Sequence, residues 1–211
     1  MTSSFDERAA TWDDDPTKHE RARRAAAQVR STVALDRGTR VLEYGAGTGL
    51  LAQQLAPDVG PLTLAEPSAG MREVLHAKVA AGVLPDARIL DLDLTRDLVP
   101  DERFDLILGL MVLHHIPDLP PVLQAFATML SPGGTLCVID LDREDGSFHG
   151  DGFDGHDGFD HDHLGAELAD AGFAPPRFVP CGAVERDGRS YGLFLATCRL
   201  RHGRQDHGDA A

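Results

Sequence analysis

A doubly wound α/β fold is what the sequence predicts, with a seven-stranded, mostly parallel sheet, helices on both faces and a C-terminal antiparallel hairpin. Three features predict it. Short apolar runs alternate with helix-forming stretches, which implies right-handed crossovers and a parallel sheet. One run, Phe104 to Leu110, is almost continuously apolar, as a strand buried on both faces must be. The last two strand-like runs, Arg177 to Val184 and Tyr191 to Leu200, are joined only by Glu185-Arg186-Asp187-Gly188-Arg189, a turn-rich link too short for a crossover helix.

Taken in order, Pro16 to Ala34 is rich in Ala and Arg and free of glycine, a helix that Arg37-Gly38 ends. Arg40 to Tyr44 reads as a short buried strand running straight into glycines, and Leu50 to Leu55 opens the next helix. Leu62 to Glu66 is the second strand and Ala69 to Ala81 a second helix on the same pattern. Arg88-Ile89-Leu90 leads a third strand, Pro120 to Leu130 is helical, and Gly134 to Leu141 is a fifth strand. Leu164 to Ala171 is a helix closed by Gly172. Residues 1–15 read as a mobile lead segment, 16–200 as one domain, and 201–211 as a flexible tail. Residues 143–162, rich in Gly, Asp and His, read as an excursion outside the core.

The formal net charge is −14. A field of that sign repels phosphate backbones, so nucleic acid is not the expected partner. Two basic groups, Arg21, Arg23 and Arg24 near the start and Arg199 to Arg204 near the end, read as solvated faces. Cys137, Cys181 and Cys198 each lie in or beside an apolar run, with no CxxC spacing, and read as buried thiols. The polar, acidic start lacks the apolar core of a signal peptide. No apolar stretch approaches the ~18 residues of a membrane span. A cytoplasmic monomer or homodimer with no membrane partner is therefore expected.

The densest signal is Val41-Leu42-Glu43-Tyr44-Gly45-Ala46-Gly47-Thr48-Gly49, set between a strand and a helix. Glycines there permit a sharp turn and let a ligand approach the backbone. A plain turn needs one glycine, seldom three in alternation. A dinucleotide site would read GxGxxG. Here Leu50 stands where that third glycine belongs, and Gly49 falls one place early. Glu43 would repel a pyrophosphate and suits a ligand carrying an ammonium and a sulfonium. The segment resembles the first motif of class I S-adenosylmethionine-dependent methyltransferases, hhExGxGxG. The resemblance extends over residues 5–200.

That resemblance implies S-adenosylmethionine as cofactor and S-adenosylhomocysteine as product, held at Glu43, Tyr44, Gly45, Ala46, Gly47 and Gly49. Glu66, followed by Pro67, ends the second strand and would accept both ribose hydroxyls, as acids do at that point of nucleotide folds. Met71 would pack on the adenine, or else belong to the helix core. Asp93 would accept the adenine amino group and Leu94 would flank the ring, with Asp91 as the alternative acid. Leu110 opens Leu110-Met111-Val112-Leu113-His114-His115-Ile116-Pro117-Asp118, similar to the family's LHHhxD stretch, and Leu130 to Gly134 is similar to its Leu-Ser-Pro-Gly-Gly turn. His114 and His115 should point to different sides. His115 is the candidate catalytic base, since a neutral imidazole can take a proton from an acceptor; the alternative is that these histidines only fix the loop by hydrogen bonds. Phe5 to Asp13 is similar to a segment that helps cover the cofactor in many such domains, with Trp12 as a lid or docked on the surface.

No Asn-Pro-Pro-Tyr or Asp-Pro-Pro-Tyr follows the fourth strand, which argues against methylation of nucleic-acid bases. In the excursion, His149, His156, His161 and His163 with Asp151, Asp154, Asp157 and Asp160 offer metal ligands, but their spacing matches neither an EF-hand nor HExxH. Ordering so glycine-rich a loop is also costly. The expectation is a flexible loop on the substrate side with no metal, ending in a helix N-cap at Asp160 or Asp162. The expected function is methyl transfer to a small-molecule acceptor by direct displacement. The alternatives are a non-catalytic S-adenosylmethionine-binding protein and a nicotinamide-dependent oxidoreductase.

Overall fold

The computed structural model describes residues 2–201; Met1 and the expected tail beyond Arg201 lie outside them. The lead segment is helical, with α1 (Thr2–Arg8) continuing into a 3-10 turn over Ala9–Asp14. Asp15 then caps α2 (Pro16–Thr32), its carboxylate accepting the Thr17 N–H at 2.9 Å while Pro16 takes the first helical position.

The α/β body follows as β1 (Val41–Tyr44), α3 (Leu50–Leu55), β2 (Leu62–Ala65), α4 (Ala69–Ala80), β3 (Arg88–Leu90), β4 (Phe104–Leu110), α5 (Leu119–Met129) and β5 (Leu130–Leu141). α6 (His161–Asp170) leads to the hairpin β6 (Arg177–Arg186) and β7 (Arg189–Arg199). The strands lie in the order β3-β2-β1-β4-β5-β7-β6. β1 to β5 run parallel, and β7 alone enters antiparallel, between β5 and β6. This is the expected seven-stranded, Rossmann-like sheet. Side-chain alternation divides its core. Val41, Leu64, Leu106 and Leu108 face α2, α3 and α4, while Leu42, Ile107, Leu136 and Val138 face α5 and α6.

Several boundaries differ from the sequence reading: β5 starts at Leu130, which pairs with Phe104, rather than at Gly134, and α2 ends at Thr32 rather than Ala34. The hairpin link is only Asp187-Gly188, with φ of 51° and 75°, so Glu185 pairs with Ser190 and Arg186 with Arg189. Two successive left-handed residues match the twist of the strands they join, and Asp-Gly supplies them. α6 starts at His161, three residues before Leu164, because the Asp160 side chain accepts the His163 N–H at 2.9 Å. The three cysteines are buried and free. Among the described residues no helix is long and apolar enough to cross a membrane.

Candidate cofactor and acceptor site

The winding of the sheet reverses between β1 and β4, which lie side by side in parallel. Ligand crevices form at the carboxyl ends of strands at such a point, and a cavity of about 990 Å³ opens there. Its floor is the turn after β1. Gly45 and Gly47 have φ of 66° and 56°. A Cβ on Gly45 would stand 2.3 Å from Val112 Cγ2, so this glycine lets the loop after β4 close on the turn. A Cβ on Gly47 would meet nothing within 4 Å, and Gly47 lines the cavity. Gly49 has a packing role instead: it caps α3 at φ 78°, and a Cβ there would strike Leu75 Cδ2 at 2.7 Å.

Glu43 is 2% exposed, paired in the sheet with Leu64 and Leu108, and its Oε2 has no hydrogen-bond partner among the described residues. Burial pushes its carboxyl up to about 8; the Glu66 charge acts the same way, and the Ala52 N–H and Lys78 act against it. Glu66 does more than the sequence suggested. Its Oε2 accepts the Gly47 N–H at 2.7 Å and its Oε1 the Ser68 N–H at 2.8 Å, tying the turn after β1 to the turn after β2. Burial raises its pKa too, opposed by those two N–H groups and by Arg72.

Tyr44, Ala46, Pro67, Met71 and Leu110 also line the cavity. Of the two candidate acids near the adenine position, Asp93 lines it, whereas Asp91 is held by Arg72 at 2.9 Å. Asp93 Oδ1 accepts from Thr95 N and Oγ1, which brings Thr95, unremarked in the sequence, into the wall. Leu94 is buried and donates its N–H to Tyr44 Oη at 3.1 Å.

The lead segment forms the roof. Asp6 Oδ1 accepts from Ser68 Oγ at 2.5 Å and from the Gly70 N–H at 2.9 Å, capping α4 from outside. Asp13 pairs with Lys78 at 2.5 Å and accepts from Thr48 Oγ1 at 2.5 Å. Trp12 lines the cavity between the Arg8 guanidinium, 4.8 Å from its ring, and Lys18 Nζ, 3.7 Å away. Arg21 is not on a solvated face, as the sequence reading had it: it turns into the cavity wall, where burial lowers its pKa against the pull of Asp15. Arg23 and Arg24 do face solvent, paired with Glu20.

Opposite the glycine turn stand three histidines. His114 is 1% exposed, and its Nδ1 lies 2.5 Å from Oδ1 of the fully buried Asp140. Burial raises the Asp140 pKa, but His114 and the N–H groups of Leu141 and His114 outweigh it and hold the carboxyl below its ordinary value. His114 and His115 do not diverge as expected; their ring centroids are 4.1 Å apart and both line the cavity. They sit in a 3-10 turn, Leu113–His115, where neighbouring side chains separate by about 120° rather than the 180° of a strand. The third histidine comes from the excursion. His156 donates its backbone N–H to His114 O at 2.8 Å, and Phe148 and Phe159 are buried, so the loop follows a packed path rather than standing clear of the core. His149 stacks on Phe153 with centroids 3.7 Å apart and lies 5.1 Å from both His114 and His115. His161 instead pairs with Asp142 and stacks on Phe178, and His163 faces Glu167. Burial, then the neighbouring histidines, push His115 down to about 3; burial and His114 push His149 down to about 4.

A parallel sheet of this order with an acid-flanked glycine turn at its switch point defines the class I methyltransferase fold. The chain matches the methyltransferase domain model over residues 17–178 and belongs to that family. It is 35% identical over 108 residues to the ubiquinone biosynthesis O-methyltransferase of Chelativorans sp. (strain BNC1), covering 50% of this chain and 42% of that protein. It is 32% identical over 120 residues to an uncharacterized methyltransferase of Schizosaccharomyces pombe (strain 972 / ATCC 24843), covering 54% and 42%. The chain spans about half the length of the curated relatives it matches. Among solved structures, the N-methyltransferase NodS from Bradyrhizobium japonicum WM9 in complex with S-adenosyl-L-homocysteine superposes with a TM-score of 0.73 at 20% identity, over 95% of this chain and 98% of that one. The [4+2]-cyclase SpnF gives 0.71 at 19%, over 86% and 81%. At these identities the likeness is one of fold.

Proposed function

We propose that this chain transfers a methyl group from S-adenosylmethionine to a small-molecule acceptor. The observation that carries the reading is Glu43: a buried carboxylate oxygen without a partner, in the wall of a cavity beside a glycine whose Cβ would enter open space. That oxygen fits a cationic ligand and would face a pyrophosphate badly, which speaks against the nicotinamide reading. Glu43 would hold the ammonium, the Gly45–Gly47 backbone would lie along the ligand's amino-acid part, Glu66 would take the ribose, and Asp93, Thr95 and Met71 the base. When bound, the cofactor supplies a methyl group already activated on sulfur. The chain's own task is then alignment and exclusion of water, for which positioning supplies ~7–11 kcal/mol. The lead segment and Phe153 close the cavity over the acceptor. His115, which lines the cavity and whose basicity burial lowers, stays the candidate base, and alignment is the mechanism proposed because the methyl group arrives already activated. The relatives named as O-methyltransferases of ubiquinone biosynthesis support a small acceptor.

The other reading is a protein that binds the cofactor without transferring its methyl group, since the same fold in SpnF carries a cyclase and the fold alone does not decide the reaction. Incubation with labelled S-adenosylmethionine and a panel of phenolic, hydroxylated and amine acceptors separates the two. Formation of S-adenosylhomocysteine together with an acceptor heavier by one methyl group is the expected result. Tight cofactor binding with no product against any acceptor or cell extract would overturn the transferase reading.

A further inference from the structure

We propose that His114, His115 and His149 form a three-histidine site for a divalent metal ion of the zinc, iron(II) or cobalt(II) type on the acceptor wall of the cavity. One ring nitrogen from each lies within 4.8 Å of the others. Three buried ring nitrogens, His114 Nε2, His115 Nδ1 and His149 Nε2, have no hydrogen-bond partner among the described residues. One unpaired buried nitrogen can be an accident of packing. Three in one cluster leave three desolvated polar nitrogens without a partner among the described residues, and each costs free energy unless a bound group fills the space.

The surroundings fit a metal better than a water. His114 Nδ1 meets Asp140 at 2.5 Å, and Asp140 also accepts the Leu113 and His114 N–H groups. This carboxylate–histidine arrangement fixes the tautomer, turns Nε2 toward the cluster and strengthens it as a ligand. Imidazole donors suit zinc and its neighbours in the first transition row rather than magnesium or calcium. Ligands at about 2.0–2.1 Å from a tetrahedral ion stand roughly 3.3 Å apart. The nitrogens therefore draw in by at most roughly 1.5 Å on binding. The sequence reading assigned the excursion no metal because the spacing within it fits no motif. The ligands come from two separate segments, so that spacing held no information about them.

Three protein ligands leave a fourth position open toward the cavity. An acceptor hydroxyl bound there has its pKa lowered by the ion, gives its proton to water, and presents its oxygen in a fixed place. The acceptor class is accordingly an oxygen nucleophile. This role rests on the methyl-transfer reading; the existence of the metal site does not.

The test uses the full chain without a histidine tag, stripped with chelator, and titrated with Co²⁺ by visible absorption and with Zn²⁺ by calorimetry. The expected result is one ion per chain with the intense ligand-field bands of a tetrahedral site. His149→Ala should weaken binding at least tenfold, Asp140→Asn by about 10–100-fold, and His161→Ala not at all. Thermal unfolding and S-adenosylmethionine binding, measured on each variant, confirm that the fold persists; because Asp140 is fully buried, His149→Ala is the deciding variant. Absence of stoichiometric binding, or binding unchanged in His149→Ala, overturns the site. Metal binding as expected with methyl transfer to amines but to no hydroxylated acceptor leaves the site standing and overturns the oxygen-acceptor role; transfer to no acceptor at all overturns the transferase reading and leaves the metal site standing.

Discussion

Replacing Glu43 by glutamine should make the free protein more stable and the cofactor complex weaker, with a pH dependence that identifies the cause. In the fold the carboxyl is pushed from 4.5 up to about 8, chiefly by burial. The unfolded chain releases its proton near the ordinary value. Between about pH 4.5 and 8 the folded state therefore holds a proton that the unfolded state has lost. Stability must fall as pH rises through that window, and level off above it. At about 1.36 kcal/mol per pKa unit the whole window is worth roughly 5 kcal/mol, an upper limit because water and side-chain relaxation soften buried charges. A glutamine side chain does not titrate. The difference in unfolding free energy, Glu43→Gln variant minus native protein, should be flat below pH 4.5, climb to pH 8, and flatten again. Urea unfolding of both proteins at pH 5, 6, 7 and 8 measures it. Binding runs the other way. A cationic ligand lowers the carboxyl's pKa, so the native protein should release a proton on binding and bind more tightly as pH rises toward 8, while the Glu43→Gln variant binds weakly at every pH. A stability difference that stays constant within about 1 kcal/mol from pH 5 to 8 would refute the assignment of a desolvated Glu43.

Three further outcomes are expected. Glu66→Ala should cost about 1.5–3 kcal/mol of S-adenosylmethionine affinity, the usual worth of hydrogen bonds to a charged group; an unchanged dissociation constant by calorimetry would place the ribose elsewhere. Gly47→Ala should fold, losing about 1–2 kcal/mol for a left-handed alanine, yet lose cofactor binding, whereas Gly45→Ala should be markedly less stable because its Cβ meets Val112 Cγ2 at 2.3 Å; equal thermal shifts in the two would contradict this division of roles. Asp13→Ala leaves Lys78, 15% exposed at its side chain, without its carboxylate, and should lower stability by about 1–3 kcal/mol while speeding cofactor release and protease cleavage near Trp12; stopped-flow release at the native rate would show that the roof does not gate the site.

Most of the sheet was legible because its information is local. Val41–Tyr44 and Phe104–Leu110 are runs buried on both faces, and no helix period competes with them. The hairpin turn was legible in type but not in length, since Asp187-Gly188 is a strong two-residue signal only once flanking charged residues are allowed into the ladder. Arg186 and Arg189 pair at an exposed strand end, where a polar residue carries no information about strand or loop. The cofactor wall was legible for a related reason. Glu43, Gly45, Gly47 and Glu66 sit at strand ends in a fixed order, so one segment and its offset specify them.

The acceptor wall was not legible, because it is assembled from segments whose meeting no spacing encodes. Thirty-five residues separate Asp13 from Thr48, and 26 separate His114 from Asp140. The excursion shows the point best. Its Asp and His content suggested a self-contained cluster or a loose loop, and both ideas treat it as a unit. The fold breaks it up residue by residue. His161 goes to Asp142, Asp160 to the start of α6, His156 to the backbone of His114 and Ile116, and His149 and Asp154 to the cavity. Phe148 and Phe159 fasten it by burial, which is why glycine content was a poor guide to its order. Two glycines beside those anchors serve close contact rather than looseness: a Cβ on Gly155 would stand 2.2 Å from His114 O, and one on Gly158 2.1 Å from Asp142 O. The loop that reads as the most disposable stretch of the chain is thus fitted by backbone contact to the strand ends that carry His114 and Asp142. Within this loop a change of acceptor calls for new residues at the inward-facing positions His149, Phe153 and Asp154, while the glycines and the buried Phe148 and Phe159 rings that seat the loop stay as they are.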